Sequence, residues 1–373
     1  MARLHFLSKH FNNIKVLIVR GIAGLFPLII AFLLPLITGI EFSSGYFQKF
    51  SQAIILSSVL KLGLDQTVLK SKLSSNKLKN ILLLVFLSHI FIYFLFFVFD
   101  LKFKTIVFGS FFISINFIIS SFFLTNDYKL KAIFFQFILP NFLILGLSTF
   151  KIDPILIISL SYGSILLTLL SNNLFVFSIE ISDISNSLLK NNLSLVGYNI
   201  LGILVINAPL AFSDFFISDL DVVILNKMLK IFSLSSFLSM IVIFTFNTEL
   251  RQWTSSNNFF KYLIKFIPII FLFFIGLMLL VNYNIISYDF NLISISIFSI
   301  IIYFILAGNI AGHFIILKSH ENSLFKIMLY TLLVTLTAFL VVNNFSVIYI
   351  FSFYIITTFL ESLLKIKFIW KLR

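Results

Sequence analysis

Residues 81–98 read Ile81-Leu82-Leu83-Leu84-Val85-Phe86-Leu87-Ser88-His89-Ile90-Phe91-Ile92-Tyr93-Phe94-Leu95-Phe96-Phe97-Val98. No Asp, Glu, Lys or Arg interrupts the run, and apolar side chains fall on every face of the helix it would form. A helix that is hydrophobic all round belongs in a large core or in a bilayer. A spanning helix needs about 20 apolar residues to cross roughly 30 Å of hydrocarbon. The window 80–99 meets that length, with Lys77 and Lys79 before it and Asp100 and Lys102 after it.

Outward from this stretch the same character repeats. Apolar windows separated by polar breaks lie at 16–40, 46–64, 105–125, 132–150, 154–178, 192–213, 224–247, 262–282, 291–317, 324–342 and 345–364. With 80–99 this predicts about twelve spanning helices, the second and eighth being the least apolar. Composition agrees. Of 373 residues, 60% are hydrophobic, 11% are charged and 51 are Phe; mean hydropathy is +1.10. A soluble domain is nearer 45–50% apolar and about 25% charged. A soluble enzyme, a nucleic-acid binder and a disordered chain are excluded. There is no Cys, so there are no disulfides, thiolate metal sites or Cys nucleophile.

The net charge of +13 fits the bias of Lys and Arg toward cytoplasmic loops. With twelve spans and both termini in the cytoplasm, 21 of the 27 cations fall inside and 6 outside. All the connecting loops are short. The polar stretch Glu180-Ile181-Ser182-Asp183-Ile184-Ser185-Asn186-Ser187 sits at the midpoint and divides the chain into six-helix lobes, 1–188 and 189–373. A faint echo links them: Pro27 with Pro209, Lys49 with Lys230, and Lys70 with Arg251 are each about 181 residues apart. Internal repeats of this kind are common in transporters. The expected fold class is an all-α polytopic membrane protein with two pseudo-symmetric lobes.

Ionisable groups inside a span are costly and are functional candidates by default. Arg20 lies about one turn inside the first span, beside Gly21 and Gly24. It reads as an anion-binding group facing a cavity, or as a side chain snorkelling to the interface. On the second span Ser51, Ser58, Lys61 and Asp65 fall within about 80° of one another. That stripe is either a cavity wall gated by Lys61, Asp65 and Lys70, or it ends in a surface salt bridge between Lys61 and Asp65. Lys49 and Lys230 could hold a phosphate between lobes, with Arg251 as the counterpart of Lys70. Lys227 fits an ion-pair cluster with Asp214, Asp219 and Asp221. The spacing Asp219-Leu220-Asp221 matches a glycosyltransferase metal motif, but a solvated turn explains it better.

Gly308 and Gly312 form a close-packing pair, and Asn309 and His313 share a neighbouring face. His313 reads as a proton site or as a histidine bonded to Asn309. His89, mid-span beside Ser88, is a similar case. Pro27, Pro35, Pro140 and Pro209 mark bends. The amides of Asn116, Gln136, Asn141, Asn172, Asn199 and Asn207 suit either sugar cargo or helix–helix bonding. No carboxylate is convincingly mid-membrane, no metal-ligand spacing occurs, and no nucleotide-binding motif is present. No metal or other cofactor is expected.

Several stretches together have a familiar shape. They are Arg20-Gly21-Ile22-Ala23-Gly24, Pro35-Leu36-Ile37-Thr38-Gly39, Phe42-Ser43-Ser44-Gly45-Tyr46-Phe47, and Leu62-Gly63-Leu64-Asp65 with Lys70. This resembles the opening of the bacterial polysaccharide (O-antigen and capsule) flippases of the multidrug/oligosaccharidyl-lipid/polysaccharide superfamily. The chain is short for that group and its loops are minimal. The resemblance implies a V-shaped, alternating-access transporter in the bacterial cytoplasmic membrane, not an enzyme. Its cargo would be an undecaprenyl-pyrophosphate-linked glycan. Membrane lipid and other polysaccharide-assembly membrane proteins would be its partners, and nucleic acid would not. By position Arg20 matches the first-helix arginine of the group, and Asp65 and Lys70 match its second-helix end.

The alternatives differ in what they require. A multidrug exporter of the same superfamily needs deep carboxylates, and a basic cavity repels cationic drugs. A membrane polymerase or glycosyltransferase needs a large outer loop with paired carboxylates or arginines. A peptidoglycan-precursor flippase would differ only in cargo.

Overall fold

The computed structural model describes residues 2–61, 63–65, 68, 75–126, 128–166, 193–252, 292–318, 320–340 and 346–371, with isolated positions between 259 and 278. The described residues are helical, with no strand among them. The helices are α1 (Ala2–Thr38), α2 (Ile40–Leu60), α3 (Ser75–Val98), α4 (Ile106–Thr125), α5 (Lys129–Ser148), α6 (Pro154–Gly163), α7 (Leu193–Ala211), α8 (Asp219–Gln252), α9 (Leu292–Leu317), α10 (Glu321–Leu340) and α11 (Val347–Lys371). Seven segments among the described residues are long and apolar enough to cross a membrane: Ile18–Thr38 of α1, Lys77–Val98 of α3, Phe103–Thr125 across α4, α5, Ser194–Ala211 of α7, Ile295–Leu317 of α9, and α11. The chain is therefore an all-helical, multi-pass membrane protein. The window at 262–282 lies almost entirely outside the described residues, as does the second half of 154–178. α2 and α8, the helices of the two least apolar windows, are not among the seven.

By contacts the chain forms two compact units, Met1–Phe215 and Phe216–Arg373. α7, which follows the polar midpoint stretch, packs against α2 within the first unit.

In the first unit burial separates two kinds of helix. α3 has 17% of its spanning window buried, whereas the α4 window has 72%. α3 therefore presents its all-round apolar surface outward, as a lipid-facing helix does. α2 runs beside α1, α4, α6 and α7 and buries Ser43, Ser44, Ser51, Ser57 and Ser58. Small hydroxyl residues let helix backbones approach in lipid and bond across the contact. Ser114 Oγ of α4 donates to Ser57 Oγ at 2.9 Å, and Gly109 of α4 lies against Ala53 of α2 and Ile158 of α6. α7 runs antiparallel to α2: Val196 meets Gly63, Gln52 Nε2 donates to the Ala211 carbonyl at 2.8 Å, and Gln48 Nε2 reaches Ser213 Oγ at 3.4 Å.

α1 and α2 are joined by Gly39 alone. Gly39 has φ 92° and ψ 169°, a region open essentially only to glycine. Its amide bonds the Pro35 carbonyl, and Thr38 Oγ1 accompanies it by donating to the Leu34 carbonyl at 2.9 Å. The expected break between 40 and 46 is thus a one-residue turn, and α2 begins at Ile40.

Phe134–Ile138 of α5 is a π-helical turn. Its cause is local. The Leu139 amide bonds the Phe134 carbonyl, so the Phe135 carbonyl loses its α-helical donor. The next donor in line would be Pro140, which has no N–H. Asn116 Nδ2 of α4 takes that place, donating to the Phe135 carbonyl at 2.9 Å. An orphaned carbonyl inside a membrane costs several kcal/mol by order of magnitude, so Asn116 is explained by backbone repair.

In the second unit α9 and α11 run parallel and in close contact. A Cβ built on Gly308 would lie 2.3 Å from Ser362 Cβ, and one on Gly312 would lie 3.4 Å from Lys365 Nζ. The glycine pair thus lies in a helix–helix contact, as its spacing predicts. Phe232 of α8, Phe298 of α9 and Phe351 of α11 form a three-ring cluster, with centroids 5.0 to 6.3 Å apart. Thr357 Oγ1 of α11 donates to Thr335 Oγ1 of α10 at 3.0 Å.

Candidate functional site

The polar stripe of α2 is buried. Ser51, Ser58, Lys61 and Asp65 are all at most 7% exposed. Lys61 closes α2, Gly63 follows with φ 67°, and Asp65 lies four residues on from the lysine. Lys61 Nζ lies 2.8 Å from Asp65 Oδ2, with the two side chains 8% and 10% exposed. The ammonium also lies 4.5 Å from the Phe117 ring centroid on α4. Leu64, Val68, Leu78, Ile81, Val85 and Ile118 form a core cluster around this turn. The pair is therefore a desolvated ion pair inside the helical bundle, and the surface salt bridge is set aside.

Lys49 lies twelve residues earlier on α2, about 18 Å along the axis at 1.5 Å per residue. Its Nζ is 3.1 Å from Asp153 Oδ2, with side chains 37% and 58% exposed. Asp153 caps α6, where its Oδ1 accepts the Ile155 amide at 2.7 Å. Burial alone would raise the Asp153 carboxyl, but the Ile155 amide and Lys49 hold it below its ordinary value. The structure thus brings Lys61 to Asp65 and places Lys49 in a separate, solvated pair.

Arg20 is buried on α1. Among the described residues a Cβ added to Gly21 would meet nothing within 4 Å. Lys230 is half-buried on α8. Lys70 lies outside the described residues, and Arg251 is described only as part of the α8 backbone.

Asn309 donates its amide to Ser236 Oγ of α8 at 3.2 Å, and His313, one turn on, is half-buried. His89 of α3 is buried. Its Nδ1 lies 2.7 Å from the Val85 carbonyl. A carbonyl only accepts, so Nδ1 holds the proton and Nε2 faces Ser114 Oγ at 3.4 Å. With Ser57 this lines up two hydroxyls and the imidazole between α2, α4 and α3.

One buried charge pair was not expected. Glu361 and Lys365 of α11 meet at 2.6 Å, with side chains 10% and 2% exposed. Glu361 and Lys365 are thus both interior groups of the protein, the lysine being counted among the loop cations by its position after the window 345–364. The i,i+4 spacing was present in the sequence. It was hidden because the apolar window stops at 364 whereas α11 continues to Lys371. Among the described residues no group of His, Cys, Asp and Glu could hold a metal ion.

Comparison with protein-family models, with curated proteins and with solved structures finds no match to this chain.

Proposed function

We propose that this chain is a flippase for a lipid-linked oligosaccharide, with twelve spanning helices in two lobes that open alternately to the two sides of a bacterial cytoplasmic membrane. The cargo is an undecaprenyl-pyrophosphate-linked glycan, an O-antigen or capsule precursor. What carries the reading is the balance of buried charge. The buried charged side chains among the described residues are three cations, Arg20, Lys61 and Lys365, against two carboxylates, Asp65 and Glu361. Each of those carboxylates sits on a lysine. A cation such as Arg20, buried on a spanning segment, favours an anionic head group such as pyrophosphate.

The same observation weighs against the multidrug exporter, whose cationic cargo calls for a carboxylate without a lysine beside it. The resemblance of the Arg20, Gly45-Tyr46-Phe47 and Gly63-Leu64-Asp65 stretches to polysaccharide flippases supports the choice of cargo. Alternating access of two lobes is a common transporter plan.

The test is reconstitution. Proteoliposomes are loaded in one leaflet with a labelled undecaprenyl-pyrophosphate oligosaccharide, and its appearance in the other leaflet is followed. The account expects transfer that depends on the protein and is lost in Arg20→Ala. Transfer no faster than in empty liposomes would contradict it.

A further inference from the structure

One cavity at the α1–α2 turn is not explained by flipping. It has a volume of about 580 Å³ and is lined by Thr38, Gly39, Ile40, Glu41, Phe42, Gly45, Lys151 and Pro154. That volume falls in the range of sites that hold small molecules, roughly 300–1,000 Å³. Its walls come from two separate turns, α1–α2 and α5–α6, each containing a residue with positive φ.

Gly39 has φ 92° and Lys151 has φ 50°. A lysine in the left-handed region is unusual, since glycine adopts it without steric cost. Keeping a lysine there calls for a use of its side chain. Glu41 lines the same cavity. Both side chains are exposed, and neither has an ion-pair or hydrogen-bond partner among the described residues. The neighbouring charges are already committed: Asp153 binds Lys49 and the Ile155 amide. Glu41 and Lys151 are thus opposite charges facing one cavity without touching.

The surroundings are apolar. Leu36, Ile37, Ile40 and Phe150 are all exposed large hydrophobic residues, at the ends of the spanning segments Ile18–Thr38 and Lys129–Ser148. A group seated here has a cavity with Glu41 and Lys151 in its lining before it and exposed apolar side chains beside it.

We infer that this cavity binds the head group of a zwitterionic phospholipid with a primary ammonium, Lys151 holding the phosphate and Glu41 the ammonium, while the acyl chains lie along Leu36, Ile37 and Phe150. The site is independent of the cargo assigned above.

The test uses the full chain in detergent, titrated with phosphatidylethanolamine, phosphatidylcholine or phosphatidylglycerol and read by native mass spectrometry. The ethanolamine lipid is expected to be retained best, because a quaternary ammonium cannot donate to Glu41 and glycerol carries no charge. Glu41→Gln and Lys151→Gln are each expected to lower its occupancy about fivefold. Lys151→Gly separates site from fold: relief of the backbone raises the melting temperature while lipid occupancy falls. Soluble phosphoethanolamine at equal concentration should not displace the lipid. Equal retention of the three lipids, unchanged occupancy in the glutamine variants, or full displacement by phosphoethanolamine would each overturn the proposal.

Discussion

Lys61 Nζ stands 2.8 Å from Asp65 Oδ2 at the end of α2, with both side chains closed off from solvent and the ammonium beneath the Phe117 ring. The i,i+4 spacing puts the two groups within reach of each other, and the Leu64–Ile81 core packs around them where α2 ends at Gly63. A buried pair of this kind is a poor source of net stability but a costly thing to break. Lys61→Ala or Asp65→Ala is expected to destabilise by about 3–5 kcal/mol, because each strands a buried charge. The double change Lys61→Met with Asp65→Leu is expected to recover most of that loss. Melting of the purified protein in detergent checks this, and a double variant as weak as the singles would contradict it.

Two glycines should fail for different reasons. Around Gly39 there is open space, so Gly39→Ala suffers only from its backbone angles, at about 1–3 kcal/mol. At Gly63 the added methyl would also lie 2.4 Å from Val196 Cγ2. Adding Val196→Ala should return part of the loss at Gly63 and none at Gly39. Melting temperatures of the four variants decide it.

The α9–α11 contact is tighter than a side-chain trim can relieve. Gly308→Ala would set its methyl 2.3 Å from Ser362 Cβ and 2.5 Å from Ser362 Cα. The expected cost is about 1–3 kcal/mol. Ser362→Gly removes the first clash but leaves the second, so the double variant should stay below the parent. Full rescue would mean that the helices can separate freely.

The Lys49–Asp153 pair gives a small acid-side effect. The Asp153 carboxyl titrates below its ordinary value when folded. Its contribution is therefore fully present above the ordinary carboxylate pKa and disappears as pH falls through the lowered one. Both groups are well exposed, so the contribution stays below about 1 kcal/mol. Melting the parent and Lys49→Met from pH 6 to pH 3 should show the two curves converging toward the acid end. Curves that stay parallel throughout would remove the pair from the account.

Much of the first unit was legible from residue pattern. The charge-free run 81–98 became α3 with its outward apolar surface, since a helix that is hydrophobic all round leaves few alternatives in lipid. Ser51, Ser58, Lys61 and Asp65 shared a face on a helical wheel, and they are buried together. Gly308 and Gly312 predicted a close contact, and Ser362 and Lys365 supply it. Contacts between distant segments were not legible. Nothing in the sequence pairs Asn116 with Phe135, because the need arises only once the π turn leaves that carbonyl facing Pro140, which has no N–H. Asp153 found Lys49 across 104 residues, a pairing set by how the α5–α6 turn meets α2. The Glu361–Lys365 pair was missed because the window 345–364 holds the glutamate but stops one residue short of the lysine that neutralises it.

The central claim concerns cargo and direction, and a deletion strain of the native host tests it most directly. Its polyprenyl-linked glycans would be extracted, sized and assigned to a leaflet. The account predicts complete repeat units held on the cytoplasmic leaflet, released by the parent gene and not by Arg20→Ala. Truncated units, or complete units already on the outer leaflet, would contradict it and point to a transferase or a polymerase.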